Sequence, residues 1–523
     1  MNEWQSIAPY ANEPLTDFQS EENRMAMEAA IARTKTILGA SIPLRIGAEK
    51  IFTDLMTKSV NPGNLDEVVG YVSKADLEHA EQAMQAALFA FESWKKTPVV
   101  ERASYLFRAA RLMRERKHEF SALMVLEAGK NYAEADADAA EAIDFLEYYA
   151  REMIRLSQIN ETMPLVQIQG ERNKFSYIPL GVGVVIPPWN FPLAICAGMT
   201  SAAVVAGNTV VLKPASPTPV IAYKFAKLME EVGLPDGVIN YLPGSGSEIG
   251  DYLVTHPKTR FISFTGSKEV GLRINKLAAE VAPGQIWMKR LIAEMGGKDG
   301  IVVDETADLD AAAQAIVTSA FGFQGQKCSA GSRALIVEDV YDEVVAKVTE
   351  LTRRLAVGMP ERNCPIGPVI DESSYRRILN YIEIGRGEGT LAVGGRIAGG
   401  NGYYIQPTVF VDVEGGARIM QEEIFGPILA IAKAKDWREA IRLYNDTEFG
   451  LTGSFFSTDV DRIEEAAETM HCGNLYMNRK CTGAFVGAHP FGGFNMSGTD
   501  SKAGGHDYLL LFTQAKAISF KTG

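Results

Sequence analysis

The chain has 523 residues, of which 46% are hydrophobic and 22% are charged, proportions typical of an ordinary globular protein. A chain of this length is too long for one compact core, so two or three domains are expected. Its 52 lysines and arginines against 65 acidic residues give a formal net charge of −13. With no dense basic run, this balance argues against nucleic acid or an anionic membrane as the main partner.

No stretch has the composition of a membrane span or a targeting segment. Residues 1–20 are polar and acidic, unlike a signal peptide or an arginine-rich transit peptide. The longest apolar run, residues 191–205, contains glycine, threonine and serine and is too short to cross a bilayer. The cysteines are odd in number and lack metal-type spacing, which indicates reduced thiols, no metal site and a cytoplasmic protein. They are Cys196, Cys328, Cys364, Cys472 and Cys481.

Residues 20–155 are predicted to be mainly helical. Ser73-Lys74-Ala75-Asp76 has the composition of a helix start, and one side of the helix that follows is apolar. That side carries Ala83, Ala87, Ala90, Phe91 and Trp94. Residues 166–170 and 174–178 alternate in polarity, which predicts a β-hairpin. Residues 515–520 alternate in the same way, which predicts an edge strand that pairs with the hairpin of another subunit.

From Gly181 onward, short apolar runs alternate with helical segments. Such alternation predicts an α/β fold, in which parallel sheets are covered by helices on both faces. The predicted strands are residues 182–186, 209–212, 238–242, 261–264, 301–303 and 334–337. The predicted helices include one with an apolar stripe of Ile221, Phe225, Leu228 and Met229, one that starts at about residue 309 and one over residues 340–355. A domain boundary near Gly296-Gly297 would place Glu294 and Cys328 on either side of a cleft.

Cys328 is the main candidate for a nucleophile. It lies in Phe323-Gln324-Gly325-Gln326-Lys327-Cys328-Ser329-Ala330, a setting of small and polar residues in which a nearby positive charge can draw a thiol toward thiolate. Glu294, just before a Gly-Gly turn, is a candidate base for hydrolysing a thioester. For a lone cysteine, a buried and inert thiol is the more common interpretation, so the surrounding motifs must decide.

Two motifs follow predicted strands as a dinucleotide site requires. In Phe264-Thr265-Gly266-Ser267, a glycine at a helix start would let the backbone approach a phosphate, although a tight βα turn explains the motif equally well. Lys213 ends a strand, where open α/β sheets bind ligands. It could donate to ribose hydroxyls, but in isolation a solvated lysine is the simpler interpretation.

Two further motifs contain a fixed polar group beside aromatic residues. Asn190, in the stiff turn Ile186-Pro187-Pro188-Trp189-Asn190-Phe191-Pro192, carries an amide N–H suited to stabilising an oxyanion; the alternative is a packed turn asparagine. Glu423 and Phe425 lie two positions apart and could hold a ribose and a nicotinamide ring. Alone, that second motif is better explained as an ordinary acidic loop.

Taken together, the ordered motifs resemble those of the aldehyde dehydrogenase superfamily. They are Trp189-Asn190-Phe191-Pro192, Lys213-Pro214-Ala215, Phe264-Thr265-Gly266-Ser267, Glu294-x-Gly-Gly-Lys298, Gly325-Gln-Lys-Cys328 and Glu423-Ile-Phe425-Gly-Pro427, with Pro490-Phe491-Gly492-Gly493 and Ser497-Gly498 extending the match. Within the superfamily, residues 323–330, 283–290, 482–484 and 491–500 are similar to those of the 1-pyrroline-5-carboxylate dehydrogenases, which oxidise L-glutamate γ-semialdehyde in proline degradation.

The resemblance implies a cysteine thioester mechanism with NAD as hydride acceptor. Cys328 would attack the aldehyde, Asn190 would stabilise the oxyanion, and Glu294 would activate the water. The implied cofactor-binding residues are Ile186, Pro188, Trp189, Lys213, Ser216, Gly266, Ser267, Glu423 and Phe425. Many relatives carry a glutamate at the position of Ser216, and because serine does not repel a 2′-phosphate, some NADP activity is expected beside NAD.

The resemblance also implies where a substrate with a carboxylate and an ammonium would bind. Ser329 and the backbone N–H groups of Gly483 and Ala484 would hold the carboxylate, with electrostatic help from Lys327. The remaining implied contacts are Glu141 for the ammonium and Phe191 for the carbon chain. From the sequence pattern alone, Glu141 is better explained as a solvated helix residue.

The implied architecture has four parts. They are an N-terminal helical arm (residues 1–37), a dinucleotide-binding domain (38–160 and 179–295), a catalytic domain (296–498) and a small β oligomerisation flap (161–178 and 499–523). The flap implies a homo-oligomer, a dimer or an assembly of dimers. Three alternatives remain open: another amino-acid or aliphatic semialdehyde as substrate, a cysteine hydrolase or thioesterase, and a non-catalytic protein built on the same fold.

Overall fold

A computed structural model describes residues 8–522 and contains two large α/β units. The helices are α1 Glu21–Lys35, α2 Leu77–Trp94, α3 Val99–Glu115, α4 Lys117–Ala128, α5 Tyr132–Ser157, α6 Ile159–Thr162, α7 Ala194–Val205, α8 Pro219–Glu231, α9 Asp251–Thr255, α10 Lys268–Ala279, α11 Leu309–Phe321, α12 Glu338–Arg353, α13 Glu372–Glu388, α14 Arg418–Gln421, α15 Trp437–Asn445 and α16 Val460–Thr469. No helix within residues 8–522 is long and apolar enough to cross a membrane.

The strands fall into two seven-stranded sheets and three smaller ones. They are β1 Ala40–Ile42, β2 Leu44–Ile46, β3 Glu49–Ile51, β4 Met56–Val60, β5 Val68–Ser73, β6 Glu171–Pro179, β7 Val182–Ile186, β8 Thr209–Leu212, β9 Ile239–Tyr241, β10 Phe261–Thr265, β11 Arg290–Glu294, β12 Asp299–Val303, β13 Gly331–Val337, β14 Thr390–Val393, β15 Thr408–Val411, β16 Ile428–Ala434, β17 Phe449–Gly450, β18 Thr452–Phe456, β19 Asn474–Met477, β20 Phe494–Asn495 and β21 Thr513–Lys521.

The first large sheet has the order β11-β10-β7-β8-β9-β2-β3, and its first five strands are parallel. The strands predicted from the sequence in this half all form, and the helix predicted between the second and third is α8. Its stripe of Ile221, Phe225, Leu228 and Met229 is buried in the core. The α/β prediction is therefore confirmed here, because fully apolar strands alternate with amphipathic helices as a parallel sheet requires.

The second large sheet has the order β14-β15-β16-β13-β12-β18-β19 and is parallel except for β14. A cleft lined by segments of both units lies between them. Four strands of the first sheet end at this cleft, namely β7, β8, β10 and β11. In the second sheet, β12, β13 and β16 begin shortly after the segments that line the cleft. The chain crosses at Gly296-Gly297, where Met295 N donates to Ser497 O at 2.7 Å.

Three local predictions differ from the structure. Residues 166–170 form no strand, so the predicted hairpin is wrong; β6 instead pairs antiparallel with β21 of the same chain. Short strands β1 to β5 interrupt the segment predicted to be mainly helical. In the predicted N-terminal helical arm, residues 8–20 are not helical, and α1 starts only at Glu21; residues 1–7, and residue 523 of the predicted flap, lie outside the described residues.

Glu127 is a fully buried carboxylate that joins three elements of the first unit. It accepts hydrogen bonds from Ser59 Oγ (2.7 Å) in β4 and from Val220 N and Ile221 N (both 2.8 Å) in the first turn of α8. Burial raises the pKa of this carboxyl to about 7. Its oxygens satisfy helix N–H groups that would otherwise be left without partners in the core.

We expect Glu127→Ala to lower the free energy of unfolding by about 2–4 kcal/mol, since it leaves buried donors without an acceptor. Glu119→Ala, on the exposed side of the same helix, is the matched control and should be near neutral. Because the folded-state pKa lies above that of an unfolded glutamate, the parent loses stability as pH rises through about 7. Denaturant unfolding at pH 5 and pH 8 gives the difference in free energy of unfolding between Glu127→Gln and the parent. We expect this difference to favour the variant more at pH 8 than at pH 5. An equal difference at both pH values would contradict the expectation.

Candidate active site

One cavity of about 550 Å³ lies in the cleft and is lined by two of the three predicted catalytic residues and all six predicted substrate residues. One wall is α5, and the other walls come from the segments around residues 191–199, 327–329 and 479–486. Of the predicted site residues, it brings together Cys328, Glu294, Glu141, Phe191, Lys327, Ser329, Gly483 and Ala484. Nucleophile, base and substrate candidates from five separate stretches of chain therefore share one space.

The segment before Cys328 has an unusual backbone. Phe323, Gln324 and Gly325 all have left-handed φ angles, of 48°, 57° and 66°, a conformation that is costly for residues other than glycine. Gln324 is held by its amide, whose Nε2 donates to Pro368 O at 2.8 Å. At Gly325 a Cβ atom would collide with Gly426 O. Tertiary contacts thus impose a tight turn that presents Cys328 to the cavity.

Asn190 lies directly behind the nucleophile segment. Its side chain is 4% exposed, and Nδ2 donates to Gln326 O at 3.0 Å. Since an amide nitrogen carries two N–H groups, one is used to hold this segment and a second is available for another acceptor. The structure thus places the amide of Asn190 against the segment that carries Cys328.

A buried ion pair between Lys130 and Asp138 lies behind both segments. Neither side chain is exposed, and Nζ lies 3.0 Å from Oδ2. The ammonium also lies over the rings of Phe191 and Phe323, at 4.1 and 4.5 Å from their centroids. Asp138 Oδ1 accepts from Ala194 N, at the start of α7, at 2.7 Å.

The electrostatic setting of Cys328 is opposite to the one expected from the sequence. Burial, reinforced by nearby carboxylates including Asp299, raises the pKa of the thiol. The adjacent Lys327 does not offset this, because its Nζ pairs with Glu134 Oε1 at 2.7 Å. The prediction that neighbouring positive charge draws the thiol toward thiolate is therefore wrong for the protein alone.

Glu294, at the end of β11, is held by hydrogen bonds from the segment of residues 493–501. Ser501 Oγ donates to Oε1, and Gly493 N donates to Oε2 at 3.3 Å. Burial raises the pKa of this carboxyl to about 8. A carboxyl of this kind exchanges protons near neutral pH, as a general base must.

The opposite side of Cys328 carries a second group of predicted residues. The rings of Trp189 and Phe425 meet edge to face, with centroids 5.3 Å apart, and Phe425 has a φ of 55°. Glu423 Oε1 accepts from Gly297 N at 3.1 Å, and burial raises the pKa of Glu423 to about 7. These contacts place a carboxylate and two aromatic faces at the junction of the two units.

The remaining cofactor candidates lie where strands of the first sheet end. Lys213 is 5% exposed; burial lowers its pKa to about 8, and its one hydrogen bond runs to Pro214 O at 3.4 Å. At Gly266 a Cβ would come within 2.6 Å of Phe264 Cζ, and Ser267 caps α10 by accepting from Val270 N. The other candidates are Ile186, which ends β7, Pro188, half-buried just beyond it, and Ser216, exposed after β8.

A dinucleotide suits these groups. Lys213 is a buried cation whose ammonium lacks a carboxylate partner within the described residues, and such a group favours an incoming polar ligand. The helix start at Ser267, with a bare backbone at Gly266, is a cradle for phosphate. The Trp189–Phe425 pair offers flat apolar faces for a ring.

The far end of the cavity has charges of both signs. Glu141 is half-buried and lines the α5 side, and burial together with nearby Asp138 raises its pKa to about 8; it lies at the cavity and not on the exposed surface of the helix. Arg479 and Lys480 line the other side. Arg479 donates to Gly483 O at 3.1 Å, which steadies the loop that carries the predicted carboxylate site.

Sequence reasoning missed several residues that the structure brings to the site. Glu134 and Asp138 precede Glu141 at helical spacing on one face of α5, a signal that was available in the sequence. Lys130 and Ser501 gave no such signal, because their partners are remote along the chain. The cavity also includes Glu13 and Leu15 from the N-terminal segment, which no pattern predicted.

Other chemistries find little support among the residues that the structure describes. No cluster of three or more potential metal ligands occurs in residues 8–522. None of the side chains that line this cavity belongs to a histidine, so the usual partner of a hydrolytic cysteine is not there. Within that part of the chain the cysteines are free thiols.

The comparisons with known proteins agree with this geometry. Residues 53–518 match the Aldehyde dehydrogenase family. The chain is 62% identical over 514 residues to 1-pyrroline-5-carboxylate dehydrogenase from Geobacillus sp. (strain WCH70), covering 98% of this chain and 99% of that protein. It is 58% identical over 511 residues to the protein of that name from Bacillus subtilis (strain 168), with the same coverage.

A solved structure shows the same fold over the whole chain. The crystal structure of 1-pyrroline-5-carboxylate dehydrogenase from Thermus with bound NAD superposes with a TM-score of 0.97 at 50% identity, over 99% of this chain and 100% of that one. The sequence match, the superposition and the cleft between the two sheets lead to one conclusion. This chain belongs to the aldehyde dehydrogenase family.

Proposed function

We propose that the protein oxidises L-glutamate γ-semialdehyde, the open form of 1-pyrroline-5-carboxylate, to L-glutamate with NAD as the hydride acceptor, as a step of proline degradation. The observation that carries this proposal is the single cavity that holds Cys328 and Glu294 and ends between acidic and basic side chains. Such an end suits an aldehyde that carries both an ammonium and a carboxylate. The names of the similar proteins from Geobacillus, Bacillus and Thermus support the same substrate.

In the proposed mechanism the Cys328 thiolate attacks the aldehyde carbon to form a thiohemiacetal. Asn190 Nδ2 and the Cys328 backbone N–H stabilise its oxyanion, an effect typically of about 3–4 kcal/mol. Bound NAD supplies the acceptor for the hydride that leaves this intermediate. Glu294 then takes a proton from water, whose oxygen attacks the thioester carbon; the carbon–sulfur bond breaks, glutamate leaves, Cys328 is regenerated as the thiolate, and the proton on Glu294 passes to solvent.

We assign the cofactor to the groups on the first-sheet side of the cleft. Lys213 and Ser216 face the adenosine ribose, Gly266 and Ser267 approach the pyrophosphate, and Glu423 holds the nicotinamide ribose. The remaining four predicted residues pack along the cofactor: Ile186, Pro188, Trp189 and Phe425. Support comes from their position where parallel strands end, which is the usual ligand site of open α/β sheets.

We assign the substrate to the far end of the cavity. Glu141 meets the ammonium and Phe191 packs on the carbon chain. The carboxylate is received by Ser329 and the backbone N–H groups of Gly483 and Ala484. Lys327 acts through the Lys327–Glu134 pair, which holds α5 against the nucleophile segment.

We further propose a homo-oligomer, a dimer or an assembly of dimers, in the cytoplasm. The β6–β21 sheet projects from the two units with exposed apolar side chains nearby, at Met163, Val166, Ile168 and Phe520, as an oligomerisation flap would. Free cysteines fit a reducing compartment. The four-part domain division given above (residues 1–37; 38–160 and 179–295; 296–498; 161–178 and 499–523) stands as part of this proposal.

The substrate assignment is tested by following NADH formation with pyrroline-5-carboxylate and with propanal. We expect the first to be much the better substrate, and Cys328→Ala to lower turnover at least about 10³-fold. Glu294→Gln should slow turnover about 10²–10⁴-fold and leave an acyl-enzyme visible by intact-protein mass spectrometry. Cys364→Ala, a thiol outside the cavity, is the control. Turnover with propanal alone would exclude the proposed substrate.

Turnover should depend on pH through Glu294, whose burial raises its pKa to about 8. Because the carboxylate is the active form of the base, kcat should rise about tenfold per pH unit on the acid side of the Glu294 pKa in the liganded enzyme and level off above it. The Glu294→Gln variant should lose this dependence. The rate of Cys328 alkylation by iodoacetamide, followed by peptide mass spectrometry, should still rise with pH in that variant. A kcat that stays constant between pH 6 and pH 9 in the parent would contradict the assignment of Glu294 as the base.

Cofactor choice should depend on the side chain at position 216. We expect Ser216→Glu to raise the ratio of kcat/KM for NAD to that for NADP by about tenfold or more, since a carboxylate there repels a 2′-phosphate. Ser216→Ala is the control and should leave the ratio within about twofold of the parent. Equal losses with both cofactors in Ser216→Glu would mean that this residue does not face the ribose.

A further inference from the structure

The N-terminal strap, which we define as residues 10–16, joins two walls of the substrate cavity. Tyr10 Oη donates to Val486 O at 3.2 Å. Asn12 Nδ2 donates to the same carbonyl at 3.0 Å and to Asp144 Oδ2 at 2.9 Å. Glu13 N donates to Asp144 Oδ1 at 2.7 Å. The strap therefore connects the loop around Val486 with α5.

A second anchor fixes the other end of the strap. Thr16 donates to Asp136 twice, from its backbone N at 2.8 Å and from Oγ1 at 2.6 Å. Asp136 is 1% exposed and also pairs with Lys117, whose Nζ donates to Pro14 O at 2.9 Å. Hydrogen bonds to buried carboxylates are the stronger kind, so this segment without regular secondary structure is held firmly.

Between its anchors the strap contributes to the surface of the cavity. Glu13 and Leu15 line the same space as Cys328. Glu13 is held by Arg114 Nε at 2.6 Å, and Leu15 is an apolar side chain that remains 54% exposed at the mouth. The walls that the strap connects are the two that carry the proposed ammonium and carboxylate contacts, Glu141 on α5 and the loop of residues 483–484.

We propose that the N-terminal strap is a specificity-determining element, which closes the outer end of the cavity and sets the distance between α5 and the loop of residues 483–486. A short aldehyde with a charged group of each sign fits between these walls, whereas a longer chain has to displace the strap. The proposal rests on the proposed function for the identity of the short substrate. It gives the strap a role separate from the chemistry at Cys328.

Asn12→Ala tests the proposal, because it removes two of the hydrogen bonds that join the walls and touches none of the reacting groups. Loss of two such bonds corresponds to about a five- to thirtyfold change in binding. We expect KM for pyrroline-5-carboxylate to rise in that range, kcat to stay within about twofold, and kcat/KM for hexanal to increase. Leu15→Ala, an exposed change that folding tolerates, should increase kcat/KM for hexanal and leave propanal unchanged.

The matched control is Asn23→Ala, which removes a similar side-chain bond to a carbonyl, Nδ2 to Asp17 O at 2.7 Å, outside the cavity. It should leave all three aldehydes unaffected. If the ratio of kcat/KM for hexanal to that for propanal stays at the parent value in both Asn12→Ala and Leu15→Ala, the strap does not select substrates. Failure of the parent enzyme to oxidise pyrroline-5-carboxylate would instead overturn the proposed function, while the hexanal-to-propanal ratio still tests the strap.

Discussion

The cleft depends on one buried ion pair, between Lys130 and Asp138. Removing both charges from water is costly, and such pairs persist only where further contacts compensate. Here the ammonium lies over the rings of Phe191 and Phe323, and desolvated contacts of this kind stabilise by about 2 kcal/mol. Asp138 also caps α7 through Ala194 N. A single cation therefore holds two segments from different units in one register.

The strained backbone beside the nucleophile persists because of this arrangement. Two consecutive left-handed residues other than glycine, Phe323 and Gln324, each cost about 1–3 kcal/mol, and the turn would relax without outside restraint. The Phe323 ring packs against the ammonium of Lys130, and the Gln324 amide is bonded on the side away from the cavity. Lys130 lies in the connection between α4 and α5, and Gln324 Nε2 also donates to Gly129 O in that connection at 3.3 Å, so the substrate wall formed by α5 and the nucleophile turn share these contacts.

Sequence reasoning predicted the parallel α/β units and eight of the residues that line the cavity because those features have local signals. Apolar runs of strand length and a helical stripe such as that of α8 are periodic, and Gly266 or Gly325 stands where a backbone must bend or come close. The pairing of β6 with β21 has no such signal, since alternation in polarity shows that a strand exists but not which partner it takes. The Lys130–Asp138 pair and the strap were missed for the same reason: each contact joins residues whose meeting is decided only by the packing of α5.

The charges of the cleft explain why the expected thiolate is not preformed. Burial raises the pKa of Cys328, Glu294, Glu423 and Glu141 together, and each added negative charge makes the next ionisation harder. A cation that enters the cleft lowers the pKa of these groups, because it stabilises their ionised forms. The ammonium of the proposed substrate and the positively charged nicotinamide are both such cations. In the protein without ligands, burial and the neighbouring carboxylates therefore favour the protonated thiol of Cys328.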